Sequence, residues 1–372
     1  MFALAIISVL ALLIFIHELG HFLAARLQGI HANKFAIGFG PILWSYQGEQ
    51  TEYSLRAIPL GGFVGFPDGE PESGFPKSDP DLLRNRPILD RAIVISAGVI
   101  ANLVFAYLVF VLQFAWTGMP DIENGVLIPQ VAETVVGEPS PAAKAGLQPG
   151  DVILEANGQP LVPAENTPEA GNALVQSLQA IISESPSDPV ELRIQRGETE
   201  TLDVTVTPAF DPDSRRALIG VTLSPNSADT TRRLGLFETF SRSAVAFQNM
   251  FEQVLSGFIL LITNFSQMSG ELAGPVKIVD QGAALAQENV LALFPFSALI
   301  SINLAILNIL PLPALDGGQL AFLLAEAVRG KPVPTRVQES VMQTGIFLLL
   351  GLGIFLIIRD TTQLSVFQNL MQ

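Results

Sequence analysis

Residues 2–27 read FALAIISVLALLIFIHELGHFLAARL, and the first ionisable side chains in this run are His17, Glu18 and His21. A helix needs about 20 apolar residues to cross the hydrocarbon core of a bilayer, so the run is long enough to span. A secretory leader fits it poorly. No basic segment precedes the apolar core, and no small-residue cleavage pattern precedes the histidines. On a helix, positions i and i+4 stand on one face. His17 and His21 can therefore hold one Zn²⁺ through their imidazoles, with Glu18 beside the open coordination position. Water on such an ion has a pKa near about 7, and the carboxylate would take its proton. Ionisable groups on an apolar spanning helix are costly, and in general they mark a functional site.

The composition agrees. The 372 residues are 49% hydrophobic and only 15% charged, with a mean hydropathy of +0.43. Soluble domains carry about 25% charged residues, so this is the balance of a membrane protein. The 35 acidic and 20 basic residues leave a net charge of -15, which argues against a nucleic-acid partner because no basic patch would offset phosphate repulsion. With no cysteine, disulfides and thiolate chemistry are excluded too. The three histidines are His17, His21 and His31, so the motif uses two of them.

Three further apolar runs cover residues 92–116, 291–313 and 341–358, giving about four spanning helices. Trp116 closes the second run, as an interfacial anchor would. The amphipathic stretch 236–268 lies against the membrane or packs on the helices, and both readings stay open. Gly38 to Pro41 forms a turn cluster, Glu52 to Ile58 a strand, and Leu60 to Phe66 a turn into a second short strand. Residues 67–90 are polar and rich in Pro, as in a surface loop. Between 120 and 225 charges become frequent. Val190 to Ile194 and Leu202 to Val206 alternate with period two around Arg196-Gly197-Glu198, the pattern of a hairpin in a soluble β-rich domain. Ala170 to Ser183 reads as its helix. The domains expected are therefore 1–116, 120–225 and 236–372. Basic residues near the spans place loops 28–91 and 325–340 in the cytoplasm. The acidic 120–225 domain and both termini then fall outside.

A catalytic zinc needs a third protein ligand. His31 lies past the helix in a polar loop and reads as solvated or locally bonded. Asp316 is the better candidate. It closes the run 304–318, LAILNILPLPALDGG, where two prolines interrupt the helix and two glycines allow close approach. Asp-Gly-Gly is commonly a plain turn, but a carboxylate at membrane depth needs a partner.

His17-Glu18-Leu19-Gly20-His21 together with Asn308 to Gly318 resembles the site-2 protease family of intramembrane zinc metalloproteases, and in particular its bacterial RseP-type members. The likeness extends to Phe39-Gly40-Pro41, Glu52 to Val64, Ala97 to Asn102 and Gly274-Pro275-Val276. Val99 stands where the family usually has Pro. The resemblance implies a multi-pass α-helical membrane protein with a membrane-associated β-hairpin. It implies His17, His21 and Asp316 as zinc ligands, Glu18 as base, and Asn308 as a residue that holds or polarises the substrate; the bland alternative for Asn308 is a bond between helices. Residues 50–66 resemble the family's hairpin, whose edge could pair with an extended substrate through Tyr53, Leu55 and Ala57; a plain cytoplasmic hairpin is the alternative. Ser140 to Gly158 looks like a bacterial PDZ domain, an α+β, β-rich insertion, with room for one copy. It would bind a peptide or protein ligand, or act as a size filter. The implied partners are single-pass transmembrane substrates, such as anti-sigma factors or signal-peptide remnants, and the lipid bilayer. The implied location is the bacterial inner membrane, with the active site toward the cytoplasm. Two alternatives remain: a membrane-anchored quality-control protease that cuts cytosolic segments, and a non-catalytic PDZ scaffold.

Overall fold

Each uninterrupted apolar run becomes one helix in the computed structural model, which describes residues 2–69, 75–135, 138–186, 188–197, 199–211, 216–265 and 273–363. The chain opens with α1 (Phe2–Leu27), β1 (Lys34–Gln47), β2 (Glu52–Gly65) and α2 (Ile88–Thr117). A unit spanning Thr117–Leu234 follows, with its own contacts. Its elements are β3 (Met119–Val131), β4 (Val152–Ala156), β5 (Gln159–Pro160), α3 (Pro168–Ser183), β6 (Val190–Arg196), β7 (Glu200–Val206) and β8 (Val221–Arg232). The chain then returns to the first unit with α4 (Leu236–Thr263), α5 (Pro275–Glu288), α6 (Leu293–Ile309), α7 (Asp316–Arg329) and α8 (Thr335–Gln363).

Among the described residues five helices are long and apolar enough to cross a membrane, one more than the four runs suggested. The addition is α4, whose most apolar window has a mean hydropathy of 1.4, against 2.3 to 2.5 for the other four. Glu238, Arg242 and Glu252 interrupt its sequence, so hydropathy alone reads it as amphipathic. The backbone nonetheless stays helical over 28 residues, about 42 Å of axis and more than a hydrocarbon core. α6 starts against Ile6, at the end of the bundle where α1 begins and toward which α2 runs, so the chain between α2 and α6 returns to that end and the extra helix leaves the order of the other four crossings unchanged.

Small residues set the helix packing. A Cβ on Gly20 of α1 would lie 2.4 Å from the Ala97 carbonyl oxygen of α2, so only glycine lets these helices approach so closely. Ile6 and Leu13 pack with Phe296 and Ile300 of α6. Further along, Ala106 and Phe110 share a cluster with Val254, Ala298 and Ile302. Helix α6 thus starts beside Ile6 and ends near the His17 level of α1. At the start of α2, Arg91 donates a two-pronged bond to Glu326 of α7 at 2.5 and 3.1 Å, and both side chains are mostly buried. Asp360 of α8, buried, accepts from the Lys277 backbone N–H at the start of α5.

Strands β1 and β2 form more than a hairpin. Phe39 to Gln47 pairs antiparallel with Ile58 to Glu52, and Lys34 to Ile37 returns beside Glu52 to Leu55 on one side and Gly65 to Gly62 on the other. The segment order is therefore 39–47, 52–58, 34–37, 62–65. The turn expected at Gly38 to Pro41 is a kink inside β1, where pairing changes partner. Gly38 and Gly40 have φ of +86° and +82°, and a Cβ on Gly38 would meet the Ile58 carbonyl oxygen at 2.7 Å.

In the second unit the sheet order is β8-β3-β4-β6-β7, with β5 paired to β4 and every pairing antiparallel. β8 pairs with β3 as far as Arg232 and Met119, so the module reaches past the expected limits of 120 and 225. The Thr167 hydroxyl accepts from the Ala170 N–H and Pro168 follows it, which starts α3; Leu178 and Ile182 then enter a core with Val126, Ile128, Ile153 and Ile194. Asp151, 1% exposed, accepts two bonds from Arg196 at 2.7 and 2.8 Å and one from the Gln148 N–H. Burial alone would raise its pKa, yet the Arg196 and Gln148 bonds outweigh burial and hold it below the usual carboxylate range. The folded value is the depressed one, so the stability from this pair is complete above about pH 5. It fades as the pH falls below the unfolded value near 4 and on through the folded one. Thermal unfolding from pH 7 to 3 should show this module losing stability below about pH 4. In Asp151→Asn that acid sensitivity should flatten, at a cost of about 2 kcal/mol at neutral pH.

Candidate active site

Helix α1 brings two imidazoles to one side, and the end of α6 brings the carboxylate. Asp316 is the first residue of α7, reached through a tight turn. A Cβ on Gly317 would lie 2.1 Å from the Leu310 carbonyl oxygen, and one on Gly318 would lie 2.4 Å from that of Leu312. Only glycines at both positions let α7 start directly against the end of α6. Ala314 sits at φ +72°, a conformation L residues seldom adopt, with Pro313 packed against Gly345 of α8. The folded-back turn aims Asp316 at α1.

His17 Nε2 and His21 Nε2 are 3.2 Å apart, and Asp316 Oδ2 lies 3.2 Å from the first and 3.3 Å from the second. A tetrahedral site with bonds of about 2.0–2.1 Å needs donor separations of about 3.3 Å. Asp316 Oδ2 is buried and has no hydrogen-bond partner. An orphaned buried carboxylate oxygen at that spacing from two ring nitrogens is what a metal ion would satisfy. His21 Nδ1 contacts the Val94 carbonyl oxygen at 2.8 Å, so that nitrogen carries the proton and Nε2 keeps its lone pair for the cluster.

Glu18 borders the same cavity of about 230 Å³, which is also lined by His17, Asp316, Asn308, Gly61 and Gly62. A Cβ on Gly62 would come within 2.8 Å of Glu18 Cγ, so the glycine lets this segment lie directly against the carboxylate. Segment 62–65 is the outer strand of the small sheet on this side, so an unpaired edge lies beside Glu18. Tyr53 and Leu55 lie in the inner segment, with backbone partners on both sides, and Ala57 follows them toward its exposed end. Among the described residues the outer segments of this sheet are 39–47 and 62–65; 53–57 lies inside the sheet, and 62–65 is the outer segment that packs on Glu18. The glycines at 61, 62 and 65 hid it from a reading based on alternating side chains. His31 stays outside the site. Its ring stacks on Phe75 at 4.1 Å between centroids, and Nε2 faces Asp79 at 3.6 Å. Residues with no expected role also surround the cluster: the Val94 carbonyl, Gly98 and Asn102.

A family model described as Peptidase family M50 matches residues 5–352. The chain belongs to peptidase family M50. It is 54% identical over 368 residues to a Nostoc protein that carries the name of a zinc metalloprotease, covering 98% of this chain and 97% of that one. It is 47% identical over 369 residues to the membrane metalloprotease ARASP of Arabidopsis thaliana chloroplasts, covering 98% of this chain and 80% of that one. Over 438 residues it is 27% identical to the regulator of sigma-W protease RasP of Bacillus subtilis, covering 97% and 98%. M50, the site-2 protease family, consists of zinc enzymes, and this member is a membrane-embedded zinc metalloendopeptidase. The donor spacing of His17, His21 and Asp316 fits the metal that M50 membership implies.

Proposed function

We propose that this M50 enzyme hydrolyses peptide bonds in or near the membrane-spanning segments of single-pass proteins. The observation that carries the reading is one constellation on apolar helices: two imidazoles and a carboxylate at zinc spacing, a general-base carboxylate beside them, and an open strand edge.

His17, His21 and Asp316 would hold the zinc. The chemistry supplied there by the bound ion would be polarisation of the scissile carbonyl and a water acidic enough to deprotonate near neutral pH. Glu18 takes the proton of the attacking water and returns it to the leaving amine. Asn308, which lines the same cavity as Glu18, orients the carbonyl. A helical peptide bond is shielded by its own hydrogen bonds, so the substrate is cut only when extended. Backbone pairing with the 62–65 edge supplies that extension and lays the chain beside Glu18.

The second unit supports a PDZ-like reading. A cavity of about 400 Å³ runs between α3 and the edge strand β8, lined by Gln179, Ile182, Ser183, Ile219, Val221 and Leu223. An extended peptide would add to β8 there. The enzyme is assigned to the bacterial inner membrane, with its site toward the cytoplasm and the PDZ-like unit outside. Substrates are of the anti-sigma or signal-peptide-remnant kind, in keeping with the name of the sigma-W regulator among its relatives.

The test is to place the whole protein in lipid vesicles with a single-pass anti-sigma-type substrate and map the cut bond by mass spectrometry. A cut inside the spanning segment is expected. Cuts confined to the soluble flanks would replace this reading with that of a membrane-anchored quality-control protease.

A further inference from the structure

We infer that Asn102 of α2 is a positioning residue for the metal site, its side-chain oxygen accepting the Nδ1–H of His17. The inference rests on the zinc reading above and adds a residue to it.

Asn102 is fully buried, and its side-chain nitrogen stands 3.3 Å from His17 Nδ1. Its side-chain oxygen, buried in the same place, has no hydrogen-bond partner. Taken literally, the amide donates to His17 Nδ1. A neutral imidazole that accepts at Nδ1 carries its proton on Nε2, the nitrogen that faces His21 and Asp316. That proton would occupy the direction in which a metal must bind. His21 has the opposite arrangement, its Nδ1–H directed at the Val94 carbonyl. The amide oxygen and nitrogen of Asn have the same shape and are assigned from their surroundings. Turning the Asn102 amide by half a turn resolves both difficulties. The oxygen gains the His17 Nδ1–H as its donor, and His17 Nε2 is freed for the metal. Ligating histidines generally give their second N–H to such a partner, which fixes the ring's tautomer and angle.

Asn102 is held for this task. The buried Ser301 of α6 donates to the Asn102 backbone carbonyl at 2.8 Å, so the helix that leads to Asp316 also pins the residue that steadies His17. One bond thereby links the supports of two of the three donors.

The experiment uses the full chain in detergent, stripped of metal and titrated with zinc against a chelator of known affinity. The variants are Asn102→Leu, which keeps the volume without an acceptor, and Asn102→Asp, which accepts but cannot donate when ionised. Asn102→Leu should bind zinc about 10–100-fold more weakly, with a metal-free melting temperature like that of the native protein. Asn102→Asp should bind at least as tightly as the native protein. Native affinity in Asn102→Leu would overturn the inference. So would equal weakness in both variants, because that is the result for a donor or a packing residue. If Asn102→Leu does not fold, Asn102→Asp decides alone, and weakened zinc binding in it overturns the inference. His17→Ala separates the two levels: if it keeps native zinc affinity, the zinc-site reading itself fails.

Discussion

Glu18→Gln should retain its zinc and cut peptide bonds at least about 100-fold more slowly than the native enzyme. The substitution keeps the shape of a side chain wedged against Gly62, so the sheet 34–65 keeps its place. It also leaves His17, His21 and Asp316 in position. Among the described residues, what it removes is the only carboxylate lining the cavity besides Asp316. Asp316 cannot take over, because its Oδ2 points between the two imidazoles. Zinc content by atomic absorption and cleavage of the vesicle substrate, measured on one preparation, check both halves. Hydrolysis at the native rate with zinc in place would remove Glu18 from the mechanism.

Gly98→Ala should lose zinc by more than about tenfold although residue 98 touches no metal. A Cβ at this position would lie 2.3 Å from His21 Nε2 and 2.8 Å from His17 Cε1, distances no real contact tolerates. The methyl group has two outlets. It can turn the imidazoles, which breaks the His21 bond to the Val94 carbonyl. It can instead push α2 off α1, which opens the contact that Gly20 makes with the Ala97 carbonyl. Either outlet spreads donors now 3.2 to 3.3 Å apart. The control is Ile100→Ala, two residues away on the same helix with a side chain 54% exposed, which should bind zinc normally. Chelator competition reads both variants. Native affinity in Gly98→Ala would mean that the histidine rings sit elsewhere when the ion is bound.

These outcomes depend on features that were unequally visible in the amino-acid sequence. The helices α1, α2, α6 and α8 were legible because their apolar runs have almost no charges inside. α4 was not, because Glu238, Arg242 and Glu252 fall within it and hydropathy averages over them. The nearness of Asp316 to the histidines was legible by chemistry: a carboxylate after an apolar run needs a partner, and few candidates exist. The sheet at 34–65 was legible only as strands. Its order depends on Lys34 to Ile37 pairing on two sides at once, and no local pattern encodes a second partner. Hence the strand edge was expected at Tyr53, Leu55 and Ala57, whereas among the described residues the outer segment beside Glu18 is the glycine-rich 62–65. The resemblance marked the stretch Ala97 to Asn102, but the roles of Gly98 and Asn102 were not legible, for a related reason. Their significance lies in what stands opposite them across a helix pair, and helical periodicity reports a face without its occupant.

The separation of the donors along the chain has a consequence in time. His17 and His21 enter the membrane with the first helix, and Asp316 is made about 300 residues later, which at 5–20 residues per second is roughly 15–60 seconds. On the three-donor reading, the growing chain carries only a two-coordinate half-site while α2, the second unit and α4 to α6 are laid down. On that reading the site cannot act on its membrane neighbours, or on other copies of itself, before Asp316 has been added.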